Sequence, residues 1–551
     1  MIRLIVCLYP LGSSDQLTFL HMFSRTILLT FMLCSTILIQ QSYGLNPLDA
    51  FNEIVKIVNS NPPAKGFPFP TIPSPRSVQD KIAIVGGGPA GIHMAYLLKK
   101  RGFKDIVVYE KSGRIGGKSL TVEYRNTVHE MGTCYTTPDY EENVIALAKE
   151  YGLWDPVDIP SANIWQDHVS NPSQYSNYVI LEIMKILNTN NPNVAIAELL
   201  KAMVQYCALH RQLFGKYEGD LMRQPGSETM KKLRCTFEEF LKQNNLLVLK
   251  PIFIASHTVQ GYGHIDEISA LYGLMWNTPV YVKELAGKFI GVSHGLNMIR
   301  GGFQNLWKTI VERENIKVVT NVNVVKVIRR TNCVYVVRKF RYGWRYYRRG
   351  SYFDFLIWTP SVYSTRRRLH TCRKEWNIFS KLKPVWFSTT LFSSTYGTRG
   401  ESPIDYWLDN VENKREHSLW AQRDSYGTLS NYYGEAYKNG SLPGGPDHRF
   451  IRTGVAYQYG KGKPCNNCLT TILRRNLTTT GSSNIQIVRQ ESWEYFPKFS
   501  PNDMANGVLW DIFKMQGSRR TWFAGSSVNF ESVKSVLEYN KLLVSKMDTT
   551  A

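Results

Sequence analysis

The chain of 551 residues is 43% hydrophobic and 20% charged, with a formal net charge of +22. Such a length supports two or three domains around a large core and excludes a small disulfide-held scaffold. The composition excludes a disordered chain, and the positive balance bears on partners and solubility rather than on fold.

Met22-Phe-Ser-Arg25, the apolar run Thr26–Ile39 and the stretch ending at Gly44 form the three regions of a secretory signal. That run of 14 residues is short for a membrane span, which needs about 20. Met22 makes a better initiator than Met1, so residues 1–44 read as an extension and a cleaved signal peptide. The expected location is the secretory pathway, secreted or lumenal, which would make Asn439-Gly-Ser441 and Asn476-Leu-Thr478 usable glycosylation sequons. Residues 45–78 read as a short helix, with Asp49 as N-cap, and a Pro-rich linker from Asn61 to Pro75 with no fold of its own.

Lys81–Val85 is an apolar, β-branched run that feeds Gly86-Gly-Gly88-Pro89-Ala90-Gly91, and a helix is predicted from Pro89 to Arg101. Gly86 permits the tight turn, Gly88 admits a pyrophosphate to the backbone, and Gly91 lets helix pack on strand. The helix N-terminus offers free N–H groups and about half a positive charge to phosphates. A second strand, Asp105–Tyr109, ends at Glu110, 19 residues after Gly91; an acid about 20 residues on binds a ribose hydroxyl. Lys111 follows, and then Gly113-Arg114-Ile-Gly-Gly117-Lys118-Ser119, a basic, Gly-rich loop suited to a second approach to the same pyrophosphate. A nicotinamide enzyme has no need of that second element.

Helical periodicity follows through Glu141–Tyr151, Tyr178–Leu187 and Val194–Leu213, and Thr236-x-x-Glu239 forms a capping box. The segment Lys339–Arg349 interleaves basic and aromatic residues between strand-like runs at Cys333–Val337 and Phe353–Trp358. With Gly343 as its turn it reads as a two-faced hairpin, so no nucleic-acid partner is expected, while peripheral attraction to anionic membrane or glycans stays open as a lesser alternative. Arg366–Arg368 reads as a solvated face. Trp386–Phe392, Ile404–Trp407 and Phe450–Tyr457 predict an antiparallel sheet. Seven cysteines follow Gly44. Cys465 and Cys468 have metal or redox spacing, but no second pair or nearby His completes a zinc site. They read as a local disulfide in a loop, and no metal is expected. His129, His257, His264 and His294 are isolated, and no nucleophile motif is present.

The loop from Gly113 to Ser119 resembles the R-x-G-G-[RK] element of the flavin-containing amine oxidase superfamily, with Lys118 where Arg, with its bidentate fork, is commoner. Glu130-Met131-Gly132-Thr133 sits where that family brings backbone beside the flavin. Gly301–Trp307 and the strand Asn321–Val325 fit its layout, with Val324 implied at the adenine. Gln516–Gly525 resembles its last strand, although Ser526 stands where an acid is usual. A helix from Ser535 to Val544 would aim its N-terminus, with Ser535 and Val536, at the flavin. The resemblance implies FAD, bound by Gly86, Gly88, Pro89, Ala90, Gly91, Glu110, Lys111, Arg114, Gly117, Lys118, Met131, Gly132, Thr133, Val324, Gly525, Ser526, Ser535 and Val536. It implies an α/β fold, with a discontinuous Rossmann-like FAD-binding domain and a helical plus antiparallel-sheet substrate domain. The FAD-binding sections are 79–138, 295–360 and 494–551, and the substrate sections are 139–294 and 361–493.

Phe237-Glu-Glu-Phe240, Gly261-Tyr262-Gly263-His264, Trp493-Glu-Tyr495-Phe496-Pro497 and Met515–Gly525 look like the polyenoic fatty acid isomerase branch of that superfamily. That resemblance implies an apolar substrate pocket holding Tyr262, His264, Tyr495 and Phe496. The flavin N5 would be the reactive centre, with no catalytic side chain assigned, and a fatty acid would leave as a conjugated isomer. The alternative is an amine or polyamine oxidase that passes electrons to O2. Ser526 alone speaks for a flavin fold kept as a binding protein.

Overall fold

The computed structural model describes residues 46–548 except 126, 159–161, 166–171, 218, 294–295, 343–344, 361–372, 396–403, 425–450 and 480. The secretory segment, His294, Arg366–Arg368 and the Asn439 sequon lie outside the described residues. Among the described residues no helix is long and apolar enough to cross a membrane.

Five parallel strands form the central sheet, in the order Thr521–Phe523, Phe355–Trp358, Ile82–Val85, Ile106–Tyr109 and Lys317–Val319. Near-continuous apolar runs such as Ile82–Val85 and Phe355–Trp358 are what a sheet covered on both faces requires. The helix Pro89–Lys100 packs against the sheet and against the helices Phe303–Arg313 and Val533–Ser545. Gly91 makes that docking feasible, because a Cβ there would lie 1.9 Å from the Gly86 carbonyl oxygen. The α/β class and the parallel Rossmann-like core expected from the sequence are both present.

Beside this sheet runs an antiparallel meander of Val322–Arg329, Val334–Tyr342 and Arg345–Phe353. The single strand predicted over Phe353–Trp358 is two: Phe353 pairs with Val334 in the meander, while Phe355–Trp358 joins the central sheet. The basic segment does form a hairpin, with Tyr342 opposite Arg345.

The second large sheet has seven strands, in the order Ser483–Lys498, Lys383–Thr395, Ile451–Gly460, Leu419–Asp424, Ile404–Trp407, Asn163–Trp165 and Ser173–Gln174. Its first strand is 16 residues long and carries straight through residue 494, where the sequence places a domain boundary. The helix Asn466–Thr479 covers part of this sheet, setting Leu473 and Leu477 against Trp165, Phe392 and Trp407. Cys465 and Cys468 are disulfide-bonded, and they open that helix rather than sit in a loop. Asn476 is buried within the same helix, its amide donating to the Ile472 carbonyl, so this sequon is closed off in the folded chain.

The helical block contains Tyr175–Leu187, Pro192–Phe214 and Phe237–Gln243, the last with the Thr236/Glu239 capping box in place. The N-terminal helix Pro47–Asn59 packs on Pro192–Phe214. Its cap is Asn46, whose side chain accepts the Leu48 N–H; Asp49 lies inside the first turn. The Pro-rich stretch is not a free linker. Phe67 pairs with Gln224 and Ile72 with Met547, and the Trp522 indole donates to the Pro73 carbonyl.

Candidate cofactor and substrate site

A cavity of about 1150 Å³ opens between the two sheets and the helical block. Its first stretch is lined by the carboxyl ends of the parallel strands, the place where open α/β sheets hold ligands. Glu110 follows the Ile106–Tyr109 strand and is buried. One carboxylate oxygen accepts the Gly87 N–H and the other the Ser112 N–H, both at 2.7 Å. Two backbone donors thus fix the carboxylate in the cavity wall, with lone pairs left for hydroxyl donors. Behind it the ladder slips between Val324 and Lys326, a bulge at the cavity edge next to Val324.

Next come the two glycine-rich turns, in direct contact: a Cβ on Gly117 would sit 2.9 Å from the Gly88 Cα. Arg114 and Lys118 line the cavity beside them, and among the described residues Arg114 Nη1 is buried without a hydrogen-bond partner. Ser532, Val533 and Val536 close this stretch with the N-terminus of a 13-residue helix. Free N–H groups, a buried unsatisfied guanidinium nitrogen and glycine-lined backbone fit a dinucleotide pyrophosphate, and the fixed Glu110 carboxylate fits a ribose. The cavity continues well past that point, which suits a dinucleotide whose second ring system lies deeper.

The far stretch is aromatic. Tyr262 and Tyr495 stack at 5.9 Å with 13° between planes, and Phe387 stacks on Tyr495 at 5.1 Å. Trp276 meets the edge of Tyr262 at 5.0 Å. The helical block contributes Tyr140, Val259, Gln260, Tyr262, Trp276 and Tyr281 to the wall, none of them charged.

Of the residues predicted for the cofactor, Gly86, Gly88, Pro89, Ala90, Gly91, Glu110, Lys111, Arg114, Gly117, Lys118, Gly132, Thr133, Val324, Gly525, Ser526 and Val536 line this one cavity. Met131 does not; it is fully buried, its N–H donating to the Leu120 carbonyl. Ser535 does not either, because its N–H is taken by the Ser532 hydroxyl that caps the helix. Of the four predicted pocket residues, Tyr262 and Tyr495 line the wall, and His264 and Phe496 do not. His264 packs edge-on to Trp420 and Tyr459, and burial holds its imidazole neutral, near pKa 4. Phe496 lies on the other side of its strand from Tyr495, beneath Tyr272 and Phe530.

Two groups carry no local signal in the sequence. Glu531 reaches the cavity five residues before Val536 and pairs with Lys118, from 413 residues away. Arg423 is buried behind the aromatic wall, its guanidinium 5.5 Å from the Tyr135 ring and 5.8 Å from the Tyr457 ring.

Residues 84–151 match the NAD(P)-binding Rossmann-like domain family. Over 225 residues the chain is 26% identical to a polyenoic fatty acid isomerase of Ptilota filicina, covering 36% of this chain and 41% of that enzyme. A flavin-containing amine oxidase of Oncorhynchus mykiss is 34% identical over 73 residues, 13% of this chain and 14% of the oxidase. The chain thus matches less than half the length of either relative. Among solved structures, the CLA-producing fatty acid isomerase from P. acnes superposes with a TM-score of 0.68 at 21% identity, over 86% of this chain and 100% of that one. The chain has the fold of the FAD-binding amine oxidases, built on a Rossmann-like dinucleotide-binding core.

Proposed function

We propose that this chain is a flavoenzyme that binds FAD in the cavity and isomerises polyunsaturated fatty acids to conjugated products. The observation that carries the substrate class is the uncharged wall given by the helical block, from Tyr140 to Tyr281. Along that wall an amine entering as a cation would lose hydration facing no carboxylate of the helical block, and Glu531, which lines the cavity from another element, is already paired with Lys118. A hydrocarbon chain would bury apolar surface against the same rings, worth about 0.8 kcal/mol per methylene.

Glu110 holds the ribose end and the paired glycine turns take the pyrophosphate backbone to backbone. Bound FAD supplies an acceptor for hydride that can return it to another carbon. The chain's own part is to exclude water and hold the substrate still: Tyr262, Tyr495 and Phe387 form a stacked wall with little rotational freedom. Because the hydride returns, the substrate is neither oxidised nor reduced overall, and no side-chain base is needed.

Aerobic incubation with linoleate, following conjugated-diene absorbance and peroxide together, tests the reading. Dienes without peroxide are expected. Peroxide produced only with amines such as putrescine would replace it with the oxidase reading.

A further inference from the structure

Phe496 has a backbone φ of +40°, a region that a bulky residue enters only under constraint. What holds it there is visible. Its N–H donates to Glu531 Oε2 at 2.8 Å, and the other oxygen of the same carboxylate pairs with the Lys118 ammonium. The Glu531 side chain is 5% exposed. Lys118 in turn lies over the Tyr495 ring, 5.1 Å from its centroid. One buried carboxylate therefore joins the glycine-rich turn of the dinucleotide domain to the strand that carries the substrate wall.

We propose that Glu531 is a positioning residue, which fixes Phe496 in its strained conformation and so aims Tyr495 into the cavity against Tyr262 and Phe387. The strain has a use. With Phe496 relaxed to an ordinary extended φ, the strand would rotate locally and the stacked wall would lose its register. The Lys118 contact compensates the buried charge of the carboxylate, while the bond to the Phe496 N–H sets the wall geometry. The role belongs to the fold and asks only that Tyr495 contact the substrate; for substrate identity it rests on the fatty acid reading.

Two substitutions separate the two bonds. Glu531→Gln keeps an oxygen for the Phe496 N–H and loses the charge that holds Lys118; Glu531→Ala loses both. In the FAD-loaded protein, Glu531→Ala is expected to raise the linoleate KM about tenfold with kcat changed far less, whereas Glu531→Gln raises KM less than about twofold. Hydrogen exchange at the Phe496 amide should accelerate in the alanine variant alone, a readout independent of which substrate the enzyme takes. Equal effects of the two variants on KM and exchange, or no effect of either, would overturn the proposal. If linoleate is not a substrate at all, the exchange comparison still decides the role of Glu531, and that failure falls on the fatty acid reading. Should the alanine variant not fold, Glu531→Asp, one methylene short of Phe496, must show the faster exchange, and normal protection there would sink the idea.

Discussion

Arg423 donates from Nη2 to the main-chain oxygen of Glu130 at 2.6 Å, joining the seven-stranded sheet to the segment that enters the dinucleotide cavity. Its guanidinium also contacts the Tyr135 and Tyr457 rings, both in the cavity wall. Replacing it by Met would keep much of the packing and leave the Glu130 carbonyl buried without that donor. We expect Arg423→Met to cost about 1–3 kcal/mol in urea unfolding, and to loosen the wall enough to raise the substrate KM. An unchanged unfolding midpoint would show that the contact contributes nothing net.

The Glu130 side chain makes a separate prediction. Burial pushes its carboxyl up to about 7, although the Phe303 N–H and the Thr121 hydroxyl both donate to it. In the unfolded chain the same group ionises near its ordinary value of 4.5. As pH rises from about 4.5 to 7 the unfolded chain therefore releases this proton and the native one keeps it. Native stability must fall across that window, by up to about 3 kcal/mol from this group. Glu130→Gln should remove this share, so the wild-type minus variant difference in stability, measured at pH 5 and pH 8, should change in that direction. A difference independent of pH would refute it.

Glu110 should govern cofactor affinity. Glu110→Ala removes the acceptor of the Gly87 and Ser112 N–H groups and the anion facing the cavity. Loss of one charge-assisted hydrogen bond to the ribose is expected to weaken FAD binding about 10- to 100-fold, read by quenching of flavin fluorescence during titration.

Gly91 should be intolerant for a steric reason. A methyl group 1.9 Å from the Gly86 oxygen forces helix and turn apart. Gly91→Ala should yield colourless protein, with thermal stability reduced by about 1–3 kcal/mol. Retention of stoichiometric FAD by that variant would contradict the packing argument.

The disulfide should matter little to the site. It closes a loop with a sequence separation of only 3, for which chain entropy allows about 2 kcal/mol. Cys465→Ser with Cys468→Ser should lower the melting temperature modestly and leave FAD affinity unchanged.

The glycine turns and Glu110 were legible in the chain because their chemistry depends on spacing within about thirty residues. Gly261 and Gly263 bracket Tyr262 with residues that admit a close backbone approach, yet do not say which neighbour enters the cavity; His264 turned the other way, against Trp420 and Tyr459. The Ser483–Lys498 strand was hidden by its own polarity, since it is the edge of its sheet and carries Gln486, Arg489, Gln490 and Glu491. Asp49 looked like a cap because it precedes an apolar repeat, but Pro47 already starts the helix and leaves the capping place to Asn46. Glu531 and Lys118 are contiguous only after 413 residues of chain have folded, so no local pattern could pair them.

The central sheet takes its strands from three distant stretches, and Thr521–Phe523 pairs directly with Phe355–Trp358, itself beside Ile82–Val85. During synthesis the first glycine turn therefore leaves the ribosome more than four hundred residues before its sheet can be completed. Such high contact order makes folding slow and leaves the Phe355–Trp358 edge open to wrong partners meanwhile. A chain cut short before residue 521 would have every phosphate-binding glycine of its first turn and still no closed cavity in which to use them.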